Sequence, residues 1–185
     1  KKIIKKVSII FTLVATSFNF VVANENILSI GSENAKVTVK VFSSLTCPHC
    51  ANFHNNIFED LKKEYIDTKK VKFEHHSFPL DLAALNAELV IRSIENKEKS
   101  FQFLNKIYEK QNQWAIGSDI NIINNYIKKI GIEFGLNNER MDKFIKDEKI
   151  QDQILNERIN AQKKYKISST PTIFINEKKY EGKHV

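Results

Sequence analysis

Cysteine is scarce in this chain: 185 residues hold two, Cys47 and Cys50, both in a single C-x-x-C. So small a supply excludes a disulfide-stapled scaffold, and a domain of this size must rely on its hydrophobic core. The pair is there for chemistry. No second paired cluster with zinc-finger spacing accompanies it, and no fixed-period repeat suggests a solenoid. Nor is positive charge concentrated in a nucleic-acid patch. Lysines alternate with acids on predicted helices, as at Glu95 to Lys99 and Lys143 to Lys149, and such runs are solvated faces. An apolar run from Val7 to Val22 falls short of the roughly 20 residues that span a bilayer, and Ser8, Thr12, Thr16, Ser17 and Asn19 interrupt it.

That run follows Lys1-Lys2-Ile3-Ile4-Lys5-Lys6 and ends at a small residue, Ala23, with Val21 two places before it. This is the layout of a secretory signal peptide over 1–23, cleaved after Ala23. The alternative is an uncleaved leader that tethers the domain to the outer side of the inner membrane. In both cases the remaining chain, 24–185, is exported to the periplasm as one domain. Without the four lysines of the leader the formal charge falls from +7 to +3, ordinary for a soluble domain.

Val37-Thr38-Val39-Lys40-Val41-Phe42 reads as a buried strand broken by Ser43-Ser44, just before the cysteines. After the motif, Phe53, Ile57, Leu61 and Tyr65 recur every four residues, the pattern of an amphipathic helix starting near Cys47. A second strand runs from Val71 to Phe78 and stops at Pro79. From Asp81 to Tyr165 the pattern is helical, with segments over 83–95, 99–113, 118–130, 138–146 and 148–165. Ser118 and Asn137 are candidate N-caps, and Gly117, Gly131 and Gly135 mark breaks. Strand character returns at Thr172-Ile173-Phe174-Ile175, with a turn at Asn176-Glu177-Lys178 and a returning strand at Lys179-Tyr180-Glu181. A sheet closed by that hairpin calls for one more helix over its second face. The chain stops at Val185 without one and starts without methionine, so the C-terminal helix is expected to be missing by truncation.

Two cysteines in the first turn of a helix can close a small disulfide ring. Cys47, at the helix start, faces unpaired backbone N–H groups and the positive end of the helix dipole, which favour its thiolate. Cys50, one turn in, is the more buried partner and acts once Cys47 holds a mixed disulfide. Pro48 lacks an N–H and suits the first helical position. His49 can direct a hydrogen bond or a positive charge toward the Cys47 sulfur. A stabilised thiolate means a stabilised reduced form, hence a disulfide readily given away.

C-x-x-C also reads as half of a zinc or copper site. Further ligands would come from His49, His54, His75, His76 or His184. His54 is expected on the surface, while His75 and His76 adjoin on a strand and face opposite sides. A third reading makes the helical block, with Phe101, Phe103, Trp114 and Phe134, a docking face for a partner, though such aromatics are more often core.

Cys47-Pro48-His49-Cys50 resembles the active site of the DsbA-like thiol-disulfide oxidoreductases, and Ser169-Thr170-Pro171-Thr172-Ile173-Phe174 resembles the cis-proline segment of the thioredoxin superfamily. The resemblance spans the exported part of the chain. It implies an α/β fold, thioredoxin-like, with a helical insertion (81–165) between the redox-helix half and the cis-proline β-hairpin. It implies Cys47 and Cys50 as the redox disulfide, with no other cofactor, and a cis bond before Pro171. Substrate would pair with the Thr170 backbone. The implied partners are unfolded or newly exported cysteine-containing proteins and a membrane redox partner, with no nucleic acid. Two positions depart from the family. Val41 stands on the strand where a buried acid is common, and Thr170 is more typical of disulfide isomerases and of the wider DsbA-like group. The 24–36 segment before the first strand is too short for the dimerisation domain of DsbC-type isomerases. A dithiol oxidase is therefore expected, with an isomerase or reductase of the same fold as the variant.

Overall fold

A computed structural model describes residues 27–182. The expected leader lies outside the described residues, as do His184 and the last residues of the chain.

Among the described residues five strands make one sheet. They are β1 (Leu28–Gly31), β2 (Val37–Ser43), β3 (Val71–Ser77), β4 (Thr172–Ile175) and β5 (Lys178–Lys179), in the spatial order β1-β3-β2-β4-β5. β2 and β3 are parallel and in register, Val37 beside Val71 and Ser43 beside Ser77, while every other pairing is antiparallel. A parallel pair needs a crossover, and here it is α1 (Pro48–Asn56), α2 (Phe58–Leu61) and a π-helical turn, Lys62–Ile66. The strand β1 was not foreseen: its four residues are too few to show an alternation. It ends on Gly31, whose φ of +105° and approach to the Val71 carbonyl leave no room for a Cβ.

The helix expected to run on from Cys47 is broken at Ile57. A strict four-residue spacing drifts about 40° per step on a helix of 3.6 residues per turn. By the third step the row has rotated off the core: Phe53 is buried, Ile57 and Leu61 are half-buried, and Tyr65 is exposed, while Phe58 takes the inner place.

Between β3 and β4 the chain forms α3 (Leu82–Arg92), α4 (Lys97–Glu109), α5 (Gln111–Trp114), α6 (Ile120–Glu133), α7 (Asn138–Ile145) and α8 (Glu148–Tyr165). Short polar side chains start most of them by accepting a backbone N–H: Asp81 from Ala84, Asn96 from Lys99, Asn137 from Arg140 and Asp147 from Ile150. The cap of α6 is Asp119 and not Ser118. Gly131 is no break but an interior residue of α6, where a Cβ would lie 2.3 Å from the Met141 sulfur. It is glycine because α7 packs there. The turn after β4 uses Asn176 and Glu177, both at positive φ, as a two-residue hairpin requires.

The main core lies between one sheet face (Val39, Val41, Phe73, Ile173) and α1, α3, α4 and α6. Phe101, Phe103 and Trp114 are buried in it, and Phe134 packs against it. The docking-face reading of these aromatics is thereby overturned: they hold the helices to the sheet. A smaller cluster of Phe42, Phe78, Ile167 and Phe174 occupies the other face.

Candidate functional site

β2 delivers the chain to Cys47, and α1 begins there. Cys47 is the N-cap, with extended backbone (φ −77°, ψ 120°), and Pro48 fills the first helical position, where no N–H is needed. The Cys47 carbonyl accepts the N–H groups of Cys50 and Ala51, both at 3.1 Å, which closes the first turn. Both cysteines are thiols, Cys47 8% exposed and Cys50 1%. Pro48 and His49 face solvent.

From far along the chain β4 brings the second half of the site. The Thr170–Pro171 bond is cis, and the Cys47 thiol donates to the Thr170 carbonyl at 3.4 Å. The Thr170 hydroxyl is buried with no hydrogen-bond partner among the described residues, yet it favours the charged form of both sulfurs. The structure thus brings Cys47, Cys50, Thr170 and Pro171 together, with Pro48 and His49 on the rim.

Charge is divided unequally between the cysteines. The Cys50 thiol beside it, the Thr170 hydroxyl and the backbone N–H groups of His49 and Cys50 outweigh burial and hold the Cys47 thiol at about 5, well below its ordinary 9.0. His49 contributes through its backbone, in place of the ring that sequence reasoning singled out. Cys50 is driven the other way, first by burial and then by the neighbouring Cys47 sulfur. One sulfur is therefore a ready nucleophile and a good leaving group, and the other is held protonated until needed.

Several residues that frame the site had no local signal. Gln111, from α5, donates its side-chain amide to the carbonyls of Leu45 (2.7 Å) and Cys47 (3.1 Å). Thr46 donates to Asp81, which also caps α3. The helical block thus grips the redox loop from two sides.

The histidines fall out differently from one another. His54, expected on the surface, is buried at 5% exposure. It stacks on Phe58 at 4.4 Å and meets Asn105 at 2.6 Å. Burial lowers its pKa to about 4, so it sits there as a neutral ring. His75 and His76 do face opposite sides: His75 pairs with the buried Glu88 at 2.8 Å, and His76 with Glu74 at 3.0 Å. Val41 leaves β2 without an acid, but Glu88, from α3, is a buried acid reached across the sheet face. Burial pushes its carboxyl up, but His75, Ser77 and Arg92 together outweigh burial and hold it below the usual range. Among the described residues no three His, Cys, Asp or Glu side chains group closely enough to hold a metal ion.

The family model described as thioredoxin matches residues 23–185. The chain belongs to the thioredoxin family. Within it the DsbA-like members are its structural relatives. Alpha-DsbA1 of Wolbachia pipientis superposes with a TM-score of 0.76 at 30% identity, over 85% of this chain and 80% of that one. Disulfide bond formation protein D of Bacillus subtilis is 31% identical over 159 residues, 80% of this chain and 67% of its own length. A candidate protein-disulfide oxidoreductase of Rickettsia bellii is 29% identical over 153 residues, 83% of this chain but 58% of its own length. This thioredoxin-family chain therefore spans less than two thirds of the Rickettsia relative. Among its described residues no helix is long and apolar enough to cross a membrane.

Proposed function

We propose that the chain is a thiol-disulfide oxidoreductase that works in the periplasm, exchanging the Cys47–Cys50 disulfide with exported proteins, and that it runs as a dithiol oxidase. The observation that carries this reading is the depressed pKa of Cys47, produced by the Cys50 thiol, the Thr170 segment and the first turn of α1.

In the oxidising direction a substrate thiolate attacks the Cys47 sulfur. The S–S bond to Cys50 breaks, and Cys50 leaves with the electron pair. A second substrate thiol then attacks its own sulfur in the mixed disulfide and expels Cys47 as thiolate. Because that leaving group is stable at neutral pH, the second step is fast and the reduced enzyme lies low in energy. The Thr170 carbonyl, which the Cys47 thiol meets in the free protein, becomes available to a substrate backbone N–H once Cys47 is engaged. Reoxidation by a membrane partner reverses the sequence, with Cys47 as attacker and Cys50 as resolver. Relatives named as disulfide bond formation protein D and alpha-DsbA1 support the same reading.

The test is equilibrium with glutathione, followed by reduced and scrambled ribonuclease as paired substrates. A potential well above the roughly −270 mV of thioredoxin, with faster oxidation than unscrambling, is expected. A potential close to that of thioredoxin would defeat the oxidase reading, and efficient unscrambling by the free monomer would favour the isomerase to which Thr170 points. Mixed disulfides trapped with Cys50→Ser in the exporting cell should vanish when Cys47→Ser is added.

A further inference from the structure

Ser44, Leu45 and Thr46 join β2 to the helix that Cys47 starts, and their conformation decides where the Cys47 sulfur points. The Cys47 N–H donates to the Ser44 carbonyl at 3.1 Å, which closes a turn over 44–47. Gln111 holds the carbonyls of Leu45 and Cys47 from the side of α5. The hydroxyls of the turn are held by the chain that leads into α3. The Leu80 N–H donates to the Ser44 hydroxyl at 3.2 Å, the Ser44 and Thr46 hydroxyl oxygens lie 3.2 Å apart, and the Thr46 hydroxyl donates to Asp81 Oδ2 at 2.7 Å. An amide N–H only donates and a carboxylate only accepts, so the row runs one way, from Leu80 through Ser44 and Thr46 to Asp81. Each hydroxyl accepts once and donates once, the arrangement in which neighbouring bonds strengthen one another.

Asp81 does more here than its place in the fold requires. One oxygen, Oδ1, accepts the Ala84 N–H at 2.8 Å and suffices to cap α3. The other goes to the redox turn. Nor does packing call for a hydroxyl at Ser44, which is 0% exposed, since a buried hydroxyl is unfavourable unless it is bonded. At the end of the turn the Cys47 backbone, at φ −77° and ψ 120°, turns its sulfur toward the His49 and Cys50 N–H groups and places it 3.4 Å from the Thr170 carbonyl. A turn free to rotate at Thr46 would carry the sulfur away from all three.

We propose that Ser44, Thr46 and Asp81 are positioning residues for the redox centre, a row of hydrogen bonds that holds the turn and thereby aims the Cys47 sulfur at the first turn of α1. The inference deepens the oxidoreductase reading and rests on it. These residues touch neither substrate nor the reacting sulfur; they act through the backbone of the turn. Asp81 is exposed, so its bond to Thr46 is partly screened, and the effect is that of a weakened helix cap and not of a lost charge. A lost cap contact is worth about fivefold in an equilibrium.

The test is the pH profile of Cys47 alkylation by iodoacetamide in the reduced protein, with denaturation midpoints measured beside it. Thr46→Val keeps the shape of the side chain and removes the hydroxyl; it should lower the thiolate-to-thiol ratio of Cys47 by about fivefold at a given acid pH, moving the profile upward. Thr46→Ser restores the hydroxyl and should lie within about twofold of wild type. Ser44→Ala breaks the row at its middle and should act as Thr46→Val does, which keeps the test open if that variant misfolds. Asp81 itself is left unchanged, because removing its charge would favour the thiolate directly. Profiles of Thr46→Val and Ser44→Ala that coincide with wild type, whatever their denaturation midpoints, would overturn the positioning role, and so would a Thr46→Ser profile that follows Thr46→Val. A wild-type profile centred near the ordinary 9.0 would defeat the oxidase reading and the positioning role together.

Discussion

His75 and His76 are neighbours in the chain, yet they open onto two different interiors. His75 points to the sheet face that carries the cysteines, where Glu88, Tyr108, His54, Ser43 and Ser77 are packed among apolar side chains. His76 points to the other face, where its ring lies tilted 4.6 Å from Phe42 beside Phe174 and Tyr165, and its polar partner is the half-buried Glu74. Both faces are held by aromatic contact, but the redox face buries His54, His75 and Glu88 fully, whereas His76 and Glu74 on the other face are half-buried. Burying them costs stability unless each is paired. The comparison teaches that this cost falls where the chemistry is, and that the second face serves as scaffold.

The largest effect should come from the scaffold. Phe42→Ala removes a ring 1% exposed that touches Phe174, Tyr165 and His76, and should cost about 3–5 kcal/mol in chemical denaturation. The ionisation of Cys47 should stay where it is. If it moves, the two faces are not independent.

The redox face should betray itself through pH. His54 takes up a proton near 6.5 when unfolded and only near 4 when folded, so between those values the unfolded chain binds more protons. Stability should therefore be full above about 6.5 and fall as pH drops toward 4, by on the order of 3 kcal/mol at most from this residue. Denaturation midpoints measured across that window should show the slope, and His54→Phe should flatten it. No change in slope would mean that the ring is not held neutral.

Gln111→Ala leaves the carbonyls of Leu45 and Cys47 without their side-chain donor and should cost about 1–2 kcal/mol. Faster hydrogen exchange at the Cys50 and Ala51 amides, which bond to the same Cys47 carbonyl, is the specific sign to seek. Smallest of all, Lys40→Ala on the scaffold face breaks the ion pair with the exposed Glu177 and should cost less than about 1 kcal/mol.

What the sequence made legible is what local chemistry decides. A β-branched run, two serines, a cysteine and a proline in that order place Cys47 at a helix start, because each acts on its own neighbours. The expected limits of α8, 148–165, coincide with the helix observed, which the structure caps with Asp147 and ends on a left-handed Lys166. The hairpin followed from its turn at Asn176. What was not legible depends on partners far away in the chain. His54 looks like a surface residue until Asn105 and Phe58 enclose it, and Gly131 looks like a break until α7 is packed on it. Gln111 lies 66 residues from Leu45, so no periodicity could announce their bond. The buried acid was sought on β2, next to the motif, and was found on α3 because side chains from different elements meet across a sheet face.

The division of charge between the two cysteines is the claim on which the rest stands, and thiolate absorbance of the reduced protein across the acid range tests it most directly. The structure predicts one sulfur, lost in Cys47→Ser, that ionises with a midpoint of about 5, so that the folding stability its ionisation lends the reduced protein is lost as pH falls through that value. A Cys47 midpoint near the ordinary 9.0 would contradict the account.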